Sequence, residues 1–179
     1  MIKKLIVVFL LAIVIGVPSI GWYMFKNMPI EHLVTCSVEK DGICIWFLKN
    51  FRGSVEDLDQ LTLNGGFNFI FAGYNGAISS QTQNISLYDQ RTETLADFFL
   101  NKGLDINAAS PIDGLTPLHS AVVLNQPEVV KYLLSHGADK SVRDNKFKLT
   151  AVELANKLQN NSSQDMEYSQ VIQALQTAN

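Results

Sequence analysis

The stretch from Asp113 to Asp144, DGLTPLHSAVVLNQPEVVKYLLSHGADKSVRD, constrains this chain more than any other. It holds two short helical patterns joined by a tight reversal and closed by a glycine. Thr116-Pro117 opens the first pattern. Proline suits a first helical turn, where the N–H it lacks would have no acceptor anyway. Leu118, Ala121 and Val122 then fall at i, i+3 and i+4, one apolar stripe. Asn125 stands where the chain must reverse, and asparagine tolerates left-handed backbone better than most residues. Pro127 starts the second pattern, Val129, Val130, Leu133 and Leu134 form its inner stripe, and Gly137 suits the C′ position beyond its end.

The pattern recurs. Gly103 and Gly137 are 34 positions apart, and Leu100/Leu134, Asp105/Asp139 and Thr116/Thr150 share that offset. A fixed period of this size marks units that cannot bury their own apolar faces and must stack. The residues resemble an ankyrin repeat. The family's Thr-Pro-Leu-His-x-Ala signature stands intact at Thr116–Ala121, and Val-Val-x-x-Leu-Leu-x-x-Gly-Ala-Asp at Val129–Asp139. The resemblance implies an all-α solenoid of about four helix-turn-helix repeats over residues 42–179, the first of them degenerate. Leu95, Phe98, Phe99 and Gly103–Asn107 belong to one repeat. Leu149–Ala155 echoes Leu115–Ala121 with Ala151, Val152 and Glu153 in place of Pro, Leu and His, a departure common in terminal repeats of the family. After a polar loop at Asn160–Asp165, a last helix over Glu167–Gln176 turns Val171, Ile172 and Leu175 inward and a polar face outward, as a terminal cap requires.

Upstream the match weakens. Ile43–Phe51 and Ser54–Thr62 read as two helices joined at Arg52-Gly53-Ser54, with Ser54 and Asp57 as a capping pair and Asn64-Gly65-Gly66 as the stop. Gly42–Asn68 is thus read as the degenerate first repeat. Phe67–Asn84 is either an inner helix followed by a loop insertion or a short strand and loop. Residues 27–41 read as a linker.

The N-terminal residues 1–26 differ in kind. Lys3 and Lys4 precede an apolar run from Leu5 to Phe25, long enough to span a bilayer at about 20 residues per crossing. The two lysines orient it with the rest of the chain exported. It reads as a transmembrane signal anchor, with aromatics at the interface, or as a signal peptide cut after Ser19 or Gly21. The expected location is the periplasm, anchored to the inner membrane or soluble there after cleavage. Cys36 and Cys44 form a disulfide in an oxidising compartment; the other reading is two small buried thiols.

No enzyme is expected. His32, His119 and His136 stand at no metal-ligand spacing, so neither metal nor cofactor is implied. His119 belongs to the signature, where the family uses it to order the turn between repeats, and His136 sits at a helix end that favours a cation. Asp57/Asp59 and Asp89/Glu93 read as solvated helix faces. Without Lys3, Lys4 and Lys26, 11 basic residues face 17 acids, which argues against nucleic acid as a partner. The resemblance implies non-catalytic binding of another protein through the hairpin tips, Ala108–Asp113 and Ser141–Lys148, and the exposed inner-helix positions near Ser120, Val123 and Leu124. Ser110, Asp113, Ser120, Val123, Arg143, Asp144 and Lys146 are the candidate contacts. Trp46, Phe47, Phe51 and Tyr74 read as core from their helical spacing, the alternative being exposed aromatic anchors of an interface. An exported, acidic repeat domain fits an immunity protein that covers a toxin such as a secreted phospholipase effector. The alternative is an envelope scaffold or stress-protection protein without a toxin partner.

Overall fold

The computed structural model describes residues 22–24, 26–39, 42–72, 90–161 and 168–177. Within them lie helices α1 (Ile30–Glu39), α2 (Gly42–Phe51), α3 (Val55–Leu63), α4 (Phe67–Ala72), α5 (Gln90–Asn101), α6 (Pro117–Val123), α7 (Pro127–Ser135), α8 (Ala151–Asn161) and α9 (Ser169–Thr177). The described region is all-α; an isolated antiparallel bridge joins Arg143 to Thr150.

Three helix pairs stack side by side. α4 packs on α5, α6 on α7 and α8 on α9. The inner helices α4, α6 and α8 follow one another in a row, and α7 and α9 pack together behind them. Each helix is too short to be stable alone, so the stripe it buries holds it in place. Leu118, Ala121 and Val122 of α6, Val129, Val130 and Leu133 of α7, and Ala151, Leu154 and Ala155 of α8 are nearly solvent-free in one continuous core.

The helix ends repeat at the level of single hydrogen bonds. At the end of α7 the Ala138 N–H donates to Leu133 O and the Gly137 N–H to Leu134 O. At the end of α5 the Leu104 N–H donates to Phe99 O and the Gly103 N–H to Leu100 O. This paired closure needs a left-handed residue, and Gly137 and Gly103 supply it with φ of 92° and 96°. α6 closes in the same way through Asn125, at φ 53°. The 34-residue period is therefore a period of backbone closure as well as of apolar residues.

The N-terminal region departs from expectation. Residues 27–41 are not a linker: α1 buries Ile30, Leu33 and Val34 almost completely and packs on α2, α3 and α5. α3 starts at the predicted Ser54 cap with a complete capping box and ends with the same Gly65-Gly66 closure. It therefore terminates as a repeat's outer helix does. α2, however, packs chiefly against α1, so Gly42–Asn68 is not a simple two-helix repeat. Periodicity identified the helices but not the neighbours their apolar faces choose.

Phe67–Ala72 is a helix, which favours the inner-helix reading of that segment over the strand. Residues 73–89, including Tyr74 and Asp89, lie outside the described residues. α8 continues to Asn161, past the start expected for the polar loop. No helix among the described residues is long and apolar enough to cross a membrane. The apolar run Leu5–Phe25 lies outside them except at 22–24.

Candidate protein-binding face

The signature residues build the scaffold from within. Thr116 caps α6 and lies 2.7 Å from His119 Nδ1, so the hydroxyl donates to that nitrogen. His119 Nε2 then donates to Leu149 O of the following repeat (2.9 Å). The ring is 1% exposed. Burial pushes its pKa below 6.5, outweighing the opposing pull of the Leu149 carbonyl and the Asp144 carboxylate. The imidazole is therefore neutral near pH 7, as its one-donor, one-acceptor partners require.

Asn68 fills the same role in the preceding repeat. Its side-chain amide donates to Leu115 O (2.9 Å), and Leu115 stands 34 residues before Leu149. An asparagine in α4 thus replaces the signature histidine as the tie to the next hairpin. Nothing in the Thr-Pro-Leu-His motif points to it; the equivalence of Leu115 and Leu149 does.

The hairpin tips are joined to each other. The Asn145 N–H donates to Gly114 O (2.7 Å), and the Asp139 N–H to Asn107 Oδ1 (2.8 Å). A side chain at Gly65 would meet Ile112 Cδ1 at 3.7 Å, which places the α3–α4 turn beside the next tip. Three successive turns therefore form one row.

The candidate contacts divide on this row. Ser110 is buried: its N–H donates to Leu115 O and its Oγ accepts from the Ile112 N–H (3.2 Å). Asp144 is 1% exposed and accepts from the N–H groups of Lys146, Phe147 and Leu149, with His119 Nε2 3.7 Å away. Burial pulls its carboxyl pKa upward, but those N–H donors outweigh it and hold the group below its ordinary 3.8. Ser120 is also buried. Ser110 and Asp144 support the hairpins from within, and burial leaves all three, which the sequence offered as contacts, little surface to present. Small polar residues in turns bond to nearby backbone, and sequence alone does not tell that use from recognition.

Asp113, Arg143 and Lys146 are exposed, and Val123 is half-buried. The Arg143 guanidinium is already engaged, pairing with Glu153 at 2.8 and 3.0 Å and donating to Lys148 O. Val123 and Leu124 are legible in the sequence as exposed inner-helix positions, whereas Leu63, Ile112 and Phe147 are not. Ile112 is 71% exposed, with Leu63, Leu124 and Phe147 also open to solvent. The only signal of Ile112 and Phe147 was apolar character inside a turn, where no buried stripe demands it.

Two further predicted core residues are not core. Phe47 is buried, but Trp46 and Phe51 are about half exposed. On the outer side, Tyr132 Oη donates to Asp97 Oδ1 (2.6 Å) and stacks on His136, 4.0 Å between centroids. His136 Nε2 lies 3.5 Å from the same carboxylate. This cluster ties α5 to α7. Cys36 of α1 is joined to Cys44 of α2 by a disulfide with Cα atoms 6.0 Å apart. Among the described residues, no group of three or more His, Cys, Asp or Glu side chains could hold a metal ion.

Residues 72–144 match the family described as ankyrin repeats (3 copies). This stretch of the chain carries ankyrin repeats. Over 60 residues it is 40% identical to human ankyrin repeat and SOCS box protein 6, covering 34% of this chain and 14% of that protein. Over 68 residues it is 38% identical to a fowlpox virus ankyrin repeat protein, covering 38% of this chain and 31% of the relative. Over 40 residues it is 52% identical to the mouse 2-5A-dependent ribonuclease, 22% of this chain and 5% of that one. The chain thus spans less than a third of each relative's length. No solved structure matches it. Ankyrin repeats are a protein-binding scaffold, and the stacked units α4–α9 provide one here.

Proposed function

We propose that this chain is an exported ankyrin-repeat domain that binds another protein through its row of tips. The observation that carries the reading is the apolar pair Ile112 and Phe147, 71% and 37% exposed on consecutive tips, beside the charged Asp113 and Lys146. Apolar anchors with a polar surround are the composition of a recognition surface. Val123 and Leu124 extend it along α6. The acidic balance of the exported region suits a partner with a basic face.

The finer reading is a periplasmic immunity protein that covers a toxin such as a secreted phospholipase effector. The basic-then-apolar N terminus supports export, and the Cys36–Cys44 bridge suits an oxidising compartment. The deciding experiment is affinity capture from periplasmic extract with the native chain and with Ile112→Asp/Phe147→Asp. A toxin retained by the first and lost by the second is the expected result. An envelope component retained in its place would turn the reading to a scaffold. Equal retention by both proteins would move the binding face elsewhere, and capture of nothing would count against recognition altogether. A C-terminal reporter fusion active only in the cytoplasm would overturn export.

A further inference from the structure

Five of the ten large apolar side chains exposed among the described residues gather at one end of the molecule: Trp22, Tyr23, Met24, Trp46 and Phe51. Trp22 and α2 are separated by about twenty residues or more in sequence, yet the fold makes them one surface. The Trp22 ring meets Phe51 edge-on at 4.4 Å and Phe47 at 5.4 Å. Trp46 meets Phe51 at 5.5 Å. Phe47 is buried beneath them and 5.0 Å from Phe51, so the exposed rings rest on core. The Cys36–Cys44 bridge clamps α2 to α1, and Arg52 ties the end of α2 to Asp57 and to Met28 O (2.7 Å). The bridge and Arg52 tie α2 to its neighbours, and Trp22, Trp46 and Phe51 remain about half exposed although their rings touch one another.

We infer that this Trp22–Trp46–Phe51 platform rests on the lipid bilayer, with α2 lying in the headgroup region and holding the repeat domain at a set orientation to the membrane. The inference rests on the anchored reading above. The apolar run from Leu5 ends in Trp22, Tyr23 and Met24, so the chain arrives at the platform directly from the proposed span. Tryptophan and tyrosine favour the membrane interface, where ring faces meet acyl chains and polar edges meet water. α2 carries no acid, and its exposed residues beside Trp46 and Phe51 are Lys49 and Asn50; Lys26 is exposed beyond Met24. Lysines flanking an aromatic surface suit phosphate headgroups. On the α5 side, Asp97 shares a groove with Lys49 and Lys102, and the acid at the end of α2, Asp57, is paired with Arg52.

The two tryptophans of the chain make the test direct. Trp22→Phe in the full-length protein leaves Trp46 as sole reporter. The protein is reconstituted in vesicles of phosphatidylcholine and phosphatidylglycerol, with and without bromine on the acyl chains. Trp46 emission should fall by about half with brominated lipid, as expected of an interfacial ring, and should resist aqueous iodide. Adding Phe51→Lys should restore emission. If the protein floats with the vesicles but Trp46 stays open to iodide and unquenched by bromine, the platform reading fails while the anchor stands. If Trp46 is shielded from iodide yet unquenched by bromine, a second copy covers it, and the bilayer reading is equally overturned. If the protein does not float, the anchored reading fails and takes this one with it.

Discussion

The C-terminal helices α4–α9 and the N-terminal helices α1–α3 solve one problem in different ways. Both must hold short helices that are unstable alone. The C-terminal units do it by repetition: the same closure, the same tie from inner helix to next hairpin, the same stripe 34 residues on. The N-terminal region uses individual devices: a disulfide, an Arg52–Asp57 pair set into a capping box, and a cluster of aromatic rings. Repetition makes each unit's stability depend on its neighbour's. Individual devices confine their effect to one end, and they leave that end free to carry a surface the repeats do not share.

The largest test of this contrast is Leu133→Asp. Leu133 has no exposure at the centre of α7, and burying a carboxylate there costs several kcal/mol. Thermal melting should show loss of cooperative unfolding across α4–α9. An unchanged melt would mean the stacking described above is wrong. Removing the bridge with Cys36→Ser/Cys44→Ser should cost about 2–3 kcal/mol for so short a loop. Amide exchange should accelerate in α1 and α2 and change little in α8 and α9. Uniform acceleration would erase the distinction between the two ends.

His119→Ala comes next. It strands the Leu149 carbonyl and removes the ring's bond to Thr116, at about 2 kcal/mol. Exchange should rise on both sides of the hairpin, in α6 and α8. Acid should separate the two ends as well. The His119 pKa lies below its unfolded value, so its contribution is whole above about pH 6.5 and is lost as pH falls below that. Asp57 and Asp144 are also lowered, and they contribute above about pH 3.8 and lose that only in stronger acid. Between those values the repeats should weaken while α1–α3 hold, which pH-dependent exchange can follow. The smallest structural effect is expected of Ile112→Asp. At 71% exposure it should alter stability by less than about 0.5 kcal/mol, while reducing partner capture.

Much of the repeat region was readable in the residues. Pro117 and Pro127 start helices as expected, Asn125 and Gly137 take left-handed backbone, and Ser54 forms its cap with Asp57. These are local effects, decided by sterics and hydrogen bonds within a few residues. Asp144 and Ser110 were misjudged because their chemistry is local but their burial is not. A carboxylate in a turn looks like a contact until the neighbouring hairpin covers it. Ile112 failed in the opposite sense, since no local rule marks an apolar residue that remains outside.

The amino-acid order alone therefore determined that this chain forms short paired helices on a 34-residue period, with a basic and then apolar N terminus. Those features follow from backbone preferences and from the need of each apolar stripe for a partner. The tertiary structure decided which stripe met which. It made α1 a member of the core, gave Asn68 the role that His119 has in the following repeat, and brought Trp22 onto α2. Burial depends on every surface that arrives at a residue, and the surfaces that arrive from far along the chain leave no local mark.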